Sequence, residues 1–146
     1  MTVFACARCG TVLTNDLAEV PFAALPDPVS PSDLQPGEKS PSWVPSGKFA
    51  VDADAFGPPY VPSDSERYVV SAGPGNTVLI SPEDLLVRRL HADYGRRNGC
   101  CGLDGVDGPN LVCDCGAEVA TESSDCWTAQ VVRLQPDAVT RIRGGA

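Results

Sequence analysis

Seven cysteines in a chain of 146 residues are the feature most able to do chemistry. Cys6-Ala7-Arg8-Cys9-Gly10 has the two-residue spacing that lets both sulfurs face one tetrahedral ion while amides of the turn donate to the thiolates. Gly10 allows the left-handed backbone that closes such a turn. One pair is half of a four-ligand site, so the other half must come from Cys100, Cys101, Cys113, Cys115 or Cys126. Cys113-Asp114-Cys115-Gly116 repeats the Cys-Gly step and precedes a strand-like run, as Cys9-Gly10 precedes Thr11-Val12-Leu13, although its spacing is one residue short. Cys100-Cys101-Gly102 is the rival supplier; adjacent side chains on extended backbone point apart, so only one of that pair would bind. The expected ligands are Cys6, Cys9, Cys113 and Cys115, and the expected ion is Zn²⁺, with Arg8 offsetting part of the thiolate charge. The competing account, buried cysteines acting as small hydrophobes, fits poorly with a pair closed by glycine.

Four further groups of ligand type remain. Cys100, Cys101, Cys126 and His91 would suffice for a second zinc, but His91, beside Arg88 and Arg89, reads as a solvated residue on the polar side of a helix. Cys126 lies between Asp125 and Trp127, and the neighbouring carboxylate raises a thiol's pKa, the wrong direction for a nucleophile. Gly99, Gly102, Gly105 and Gly108 recur every third residue among Asp104, Asp107 and Asn110. That period predicts consecutive tight turns; a calcium loop spaces its oxygens by two and adds a later glutamate. Arg88, Arg89, Arg96 and Arg97 read as a solvated helix face balancing nearby acid, ahead of a phosphate or partner site. No nucleophile elbow, phosphate loop or metalloprotease helix is present.

Three zones must position these groups. Residues 1–20 hold the first cysteine turn, flanked by Val3, Phe4, Val12 and Leu13. Residues 21–62 hold ten of the fourteen prolines, which remove backbone donors and fix φ; Pro26 to Pro45 reads as a mobile loop or linker, with Trp43 and Tyr60 anchoring it. Within this zone Lys48-Phe49-Ala50-Val51 predicts a short edge strand. Further on, Arg67–Ser71 and Asn76–Ile80 predict two strands joined by the tight turn Ala72-Gly73-Pro74-Gly75. Ser81-Pro82-Glu83-Asp84 carries the signature of a helix start, and Leu85, Leu86 and Leu90 predict a buried stripe on a helix from Pro82 to Tyr94, ended by Gly95. Strand-like runs follow at Asn110–Val112, Glu118–Thr121 and Trp127–Leu134.

Length and mass, 146 residues and 15.3 kDa, suit one zinc-stabilised domain over 1–146 in which 21–62 is a proline-rich irregular insertion. The expected class is α+β, mainly β. Nineteen acidic against eleven basic residues give a net charge of −8, which argues against coating nucleic acid or an anionic membrane. No apolar run reaches the length of a membrane span. The amino terminus lacks the basic start and apolar stretch of a secretory signal, so a cytoplasmic setting with reduced thiols is expected, and the odd cysteine count fits a closed disulfide framework poorly. Nine arginines against two lysines hint at a GC-rich genome.

Phe4-x-Cys6-x-x-Cys9-x-x-x-Leu13 together with Cys115-Gly116 and the strands after it resembles the two knuckles of a zinc ribbon, and also the β-tent group of Yippee and cereblon-like domains. The resemblance implies a small sheet core clamped through one zinc, with one short helix and a proline-rich loop. Cys100-Cys101-Gly102-Leu103-Asp104-Gly105 through Gly108-Pro109-Asn110, Cys113 and Val119-Ala120-Thr121 is similar to a set of small uncharacterised actinobacterial proteins, which implies metal binding in a bacterial cytosol. Redox-switched zinc chaperones share the two cysteine spacings, but in the opposite order and much closer together. The favoured function is a protein-interaction or adaptor module with a structural zinc, using Trp43, Phe56 and Tyr60 as anchors for another protein. The alternative is a thiol-redox or zinc-dependent enzyme using a spare cysteine or an open metal position. Nucleic-acid binding, the usual association of zinc ribbons, comes third, because basic and aromatic residues are not interleaved. Oligomeric state is left open.

Overall fold

Successive side chains on a strand face opposite sides of its sheet, and three central strands display that alternation clearly. Along β3 (Lys48–Asp52), β6 (Thr77–Ile80) and β10 (Val131–Leu134), Phe49, Val51, Val78, Ile80, Val132 and Leu134 share one face, while Leu79 and Val131 face the other way. The registers Phe49↔Ile80↔Val132 and Val51↔Val78↔Leu134 stack these residues in rows across the sheet. In this computed structural model, which describes residues 1–29, 31–38 and 40–144, the sheet has seven strands in the order β2-β3-β6-β10-β9-β8-β7. The remaining members are β2 (Ala18–Glu19), β7 (Arg89–Leu90), β8 (Leu111–Val112) and β9 (Glu118–Ser123), and only the β2–β3 pair is parallel. Two-stranded ribbons form from β1 (Thr2–Cys6) with β11 (Val139–Arg143), and from β4 (Tyr60–Pro62) with β5 (Val69–Ser71).

The β1–β11 ribbon covers the inner face. Phe4 meets Phe49 edge-to-face, with centroids 5.1 Å apart and planes at 84°, and Leu13, Leu17 and Leu85 complete the main core. The proline-rich zone covers the outer face rather than leaving the body. Phe22, Leu25, Trp43 and fully buried Val44 pack over Leu79 and Val131. Trp43 is pinned twice, its indole N–H donating to Pro26 O at 2.8 Å and its amide to Gln130 O at 3.0 Å. Tyr60 also anchors its segment, donating its hydroxyl to Val106 O at 2.6 Å. On the same outer face Arg133 forms a buried pair with Asp52 at 2.9 Å, donates to Thr77 Oγ1 at 3.0 Å, and lies 4.1 Å over the Phe56 ring.

The expected α+β class, with a small zinc-ribbon or β-tent-like core and one short helix, is overturned. Among the described residues helical structure is limited to four three-residue 3-10 turns, and the core is a seven-stranded mixed sheet. The cap at Ser81 does form, its hydroxyl accepting from Glu83 N at 3.4 Å, but it starts only the turn Pro82–Asp84. Leu85 then bridges Thr14, Leu86 N donates to Leu13 O at 2.7 Å, and Arg89–Leu90 joins the sheet against β8. A helix of this length is marginal by itself, so backbone partners elsewhere in the fold outcompete it. Leu86 and Leu90 accordingly lie exposed instead of forming a buried stripe.

Two strand assignments also change. Lys48–Val51 is not at an edge, because β2 pairs on its far side. The runs around 67–71 and 76–80 do not pair with each other; β5 pairs β4, and β6 lies between β3 and β10. The turn between them is held against residues 53–57 instead. A Cβ on Gly73 would overlap the Phe56 carbonyl, and one on Gly75 would come within 2.7 Å of Ala53 O, so this close backbone approach requires glycine.

Candidate metal centre

The first cysteine turn leaves the end of β1, where Cys6 is in register with Val139 of β11. Gly10 N donates to Cys6 O at 2.8 Å and Cys6 N to Thr11 O at 2.8 Å, with Gly10 at φ +80°. The second turn connects β8 to β9. There Gly116 N donates to Cys113 O at 2.8 Å and Cys113 N to Ala117 O at 2.9 Å, with Gly116 at φ +89°. The Cys-x-Cys turn therefore keeps both closing hydrogen bonds of the Cys-x-x-Cys turn with one residue fewer. Its missing residue costs the loop length but not the convergence of the sulfurs.

All four sulfurs, from Cys6, Cys9, Cys113 and Cys115, lie within 4.8 Å of one another. Across the two turns, Cys6 Sγ is 3.7 Å from Cys115 Sγ and Cys9 Sγ is 3.5 Å from Cys113 Sγ. A tetrahedral ion at the usual Zn–S length of about 2.3 Å sets its sulfurs about 3.8 Å apart, so the spacing fits such an ion closely. A disulfide, at about 2.05 Å, is much shorter, and all seven cysteines are free thiols. Cys6 and Cys113 are buried, Cys115 half-buried and Cys9 exposed, which puts the cluster at the rim of the main core.

The turns also supply donors to sulfur. The Thr11 hydroxyl, 3.1 Å from Cys9 Sγ, is the first cause that lowers the Cys9 thiol to about 6, followed by the Thr11 amide and the Cys113 thiol. Burial pushes Cys113 up to about 11, against the pull of the Cys115 amide. At Cys115 the Ala117 amide pulls down, but burial and the thiols of Cys6 and Cys9 together outweigh it and raise the thiol. Amide and hydroxyl donors aimed at sulfur, with thiols crowded enough to resist joint ionisation, suit a cation that would neutralise them. The part played by Thr11 has no signal in the sequence beyond its place after Cys9-Gly10.

The other residues singled out from the sequence are deployed elsewhere. Neither Cys100 nor Cys101 enters the cluster. His91 does not join Cys100, Cys101 and Cys126, and lies instead along a cleft with Asp114 and Cys115. Its Nδ1 accepts from Asp93 N at 3.0 Å, so Nε2 carries the proton and donates to Glu118 Oε2 at 3.1 Å. Two of the four arginines meet acid, though not on an α-helix: Arg96 reaches Glu118 at 2.6 Å and Arg88 pairs with Glu122, whereas Arg97 donates to His91 O at 2.6 Å. In the glycine-rich stretch Asp104 Oδ1 accepts from Val106 N at 3.0 Å, a local turn of the expected kind. Asn110, almost fully buried, exchanges two hydrogen bonds with the Glu122 backbone at 2.7 and 3.0 Å. Trp43 and Phe56, expected to face a partner, are occupied within the chain by Phe22 and Arg133.

No helix among the described residues is long and apolar enough to cross a membrane. No family model, curated protein or solved structure matches the chain.

Proposed function

We propose that Cys6, Cys9, Cys113 and Cys115 hold one structural Zn²⁺ and that the chain works as a protein-interaction module in a reducing, cytoplasmic setting. The observation that carries this reading is the convergence of four sulfurs from two glycine-closed turns more than a hundred residues apart, at spacings of 3.5 and 3.7 Å. Four protein thiolates complete a tetrahedral shell, the composition of structural sites; catalytic zinc keeps a position for water or substrate. Such an ion joins the β1–β11 ribbon to the β8–β9 turn, and its binding free energy is folding free energy. Kinship with small cysteine-rich actinobacterial proteins belongs to the same reading and rests on residues 100–121. Partner binding is supported by the β4–β5 ribbon, where Val61, Tyr68, Val69 and Val70 are exposed together and Tyr68 and Val69 are more than 60% accessible.

Native mass spectrometry of protein purified without chelator or metal affinity tests the metal assignment. One zinc per chain, retained until the chain unfolds and lost in Cys6→Ser, is the expected result. A metal-free folded chain refutes it.

A further inference from the structure

Away from the four-cysteine centre, a second group of ligand-type side chains converges. The sulfurs of Cys101 and Cys126 and a carboxylate oxygen of Asp125 lie within 4.8 Å of one another. Both cysteines are exposed, whereas Asp125 is completely buried. Asp125 is fully engaged by its neighbours. Its Oδ2 accepts from Cys100 N at 2.8 Å, and its Oδ1 accepts from Cys101 N at 2.9 Å, Cys126 N at 2.8 Å and the Cys101 thiol at 3.3 Å. The amides of Cys101 and Cys100 hold this carboxylate charged, well below the usual carboxylate range. A buried carboxylate with three amides and a thiol already on it has little left to offer a metal. Its structural effect is to hold the Cys100-Cys101 backbone against Cys126, so that two accessible thiols face each other.

The loop backbone reinforces that placement. Ser124 N donates to Leu103 O at 2.8 Å, and a Cβ on Gly102 would overlap the Ser124 carbonyl, so the chain after Cys101 lies flat against the chain before Cys126. The two cysteines line a surface cleft together with Glu38, Ser40 and Gln130.

We propose that Cys101 and Cys126 are a redox-active pair that closes to an intramolecular disulfide at the expense of a low-molecular-weight disulfide. Cys101 loses its proton to solvent and attacks one sulfur of the oxidant. The oxidant's S–S bond breaks, and its other half leaves as a thiolate that takes up a proton. Cys126 then loses its proton and attacks the Cys101 sulfur of the mixed disulfide, displacing the second half as a thiol. Two protein thiols are oxidised by two electrons in all, and one small disulfide is reduced to two thiols. Cys126 is assigned the later step, its thiol being pushed up to about 12 by the hydrogen bond with Cys101, by local desolvation and by Asp125.

The test treats the metal-loaded full chain with oxidised glutathione, quenches with an alkylating agent, and maps the cysteines by mass spectrometry while measuring metal per chain. The expected result is a chain lighter by two hydrogens, with the Cys101 peptide linked to the Cys126 peptide. In Cys126→Ser, a glutathionyl adduct should persist on Cys101. Separate, persistent adducts on Cys101 and Cys126 of the unsubstituted chain would overturn the proposal. So would linkage of Cys100 to either residue, or protection of both thiols by a second metal ion. Links among Cys6, Cys9, Cys113 and Cys115 with loss of metal would count against the zinc reading alone, because the Cys101–Cys126 peptide is scored separately.

Discussion

Asp52→Ala should destabilise the chain severely, through a charge it leaves behind. Arg133 and Asp52 side chains are only 9% and 10% accessible, and the pair joins β10 to the end of β3 across β6. Removing the carboxylate leaves the guanidinium buried with one neutral acceptor, Thr77 Oγ1, and two aromatic faces, Phe56 at 4.1 Å and Trp43 at 5.8 Å. Breaking such a pair from one side costs about 3–5 kcal/mol. Thr77 Oγ1 and the two rings stay on the cation after the substitution, so its charge is not wholly uncompensated and a loss at the lower end of that range, about 3 kcal/mol, is expected. At about 2–4 °C per kcal/mol for a chain of this size, the melting temperature should fall by roughly 10 °C. Arg133→Met combined with Asp52→Ala should recover much of the loss, since no uncompensated charge then remains. Urea denaturation of the wild type, both single variants and the double variant measures the coupling. A loss below about 1 kcal/mol for Asp52→Ala, or additive effects in the cycle, would refute the assignment of a buried, mutually dependent pair.

Other perturbations probe the centre and the core. Cys113→Ser should abolish stoichiometric metal and lower the unfolding midpoint, whereas Cys126→Ser should leave both metal content and stability within about 0.5 kcal/mol, as checked by mass spectrometry and thermal melts. In metal-free protein the Cys9 thiol, lowered from about 9 to about 6, contributes stability that is fully present above pH 9 and lost as pH falls through 6. Cys113, raised to about 11, acts oppositely, its contribution disappearing as pH rises from 9 to 11; melts of Cys9→Ser and Cys113→Ser across pH should each flatten the corresponding window. Zinc addition at pH 7 should release protons, chiefly from the raised thiols of Cys113 and Cys115, which calorimetry in buffers of different ionisation enthalpy would register. Gly73→Ala should cost about 1–3 kcal/mol because its methyl meets the Phe56 carbonyl, and an unchanged denaturation midpoint would show that the turn does not lie there.

Part of this architecture was readable in the residues themselves. The Cys-Gly step at 9–10 and again at 115–116 marks two turns whose closing hydrogen bonds are local, so the repeated step pointed to the four sulfurs that converge, although the short second spacing left Cys100-Cys101 as a rival. Trp43 was recognisable as an anchor because a large aromatic in a proline-rich stretch has little other use. The helix at 82–94 was misread because its cap, proline and leucines are real local signals, and the competing partners at Leu13, Thr14 and Val112 lie more than twenty residues away or across the sheet. The hairpin at 67–80 was misread for a similar reason. Two β-branched runs around a glycine turn look self-sufficient, and nothing in them shows that β4 and β3 would be their partners instead.

What the sequence determines by itself is chemistry with short reach: cysteine turns, the cap at Ser81, β-branched strand runs, and a proline zone unable to form regular structure over most of its length. Tertiary structure decides which distant pieces share a site. It sets Cys9 against Cys113, Arg133 against Asp52, and Cys101 against Cys126 around Asp125. These pairings depend on the order of seven strands, and strand order is set by burial of apolar rows and satisfaction of backbone hydrogen bonds over the whole chain. No local window contains that sum, so the identities of the reactive groups were legible while most of their partners were not.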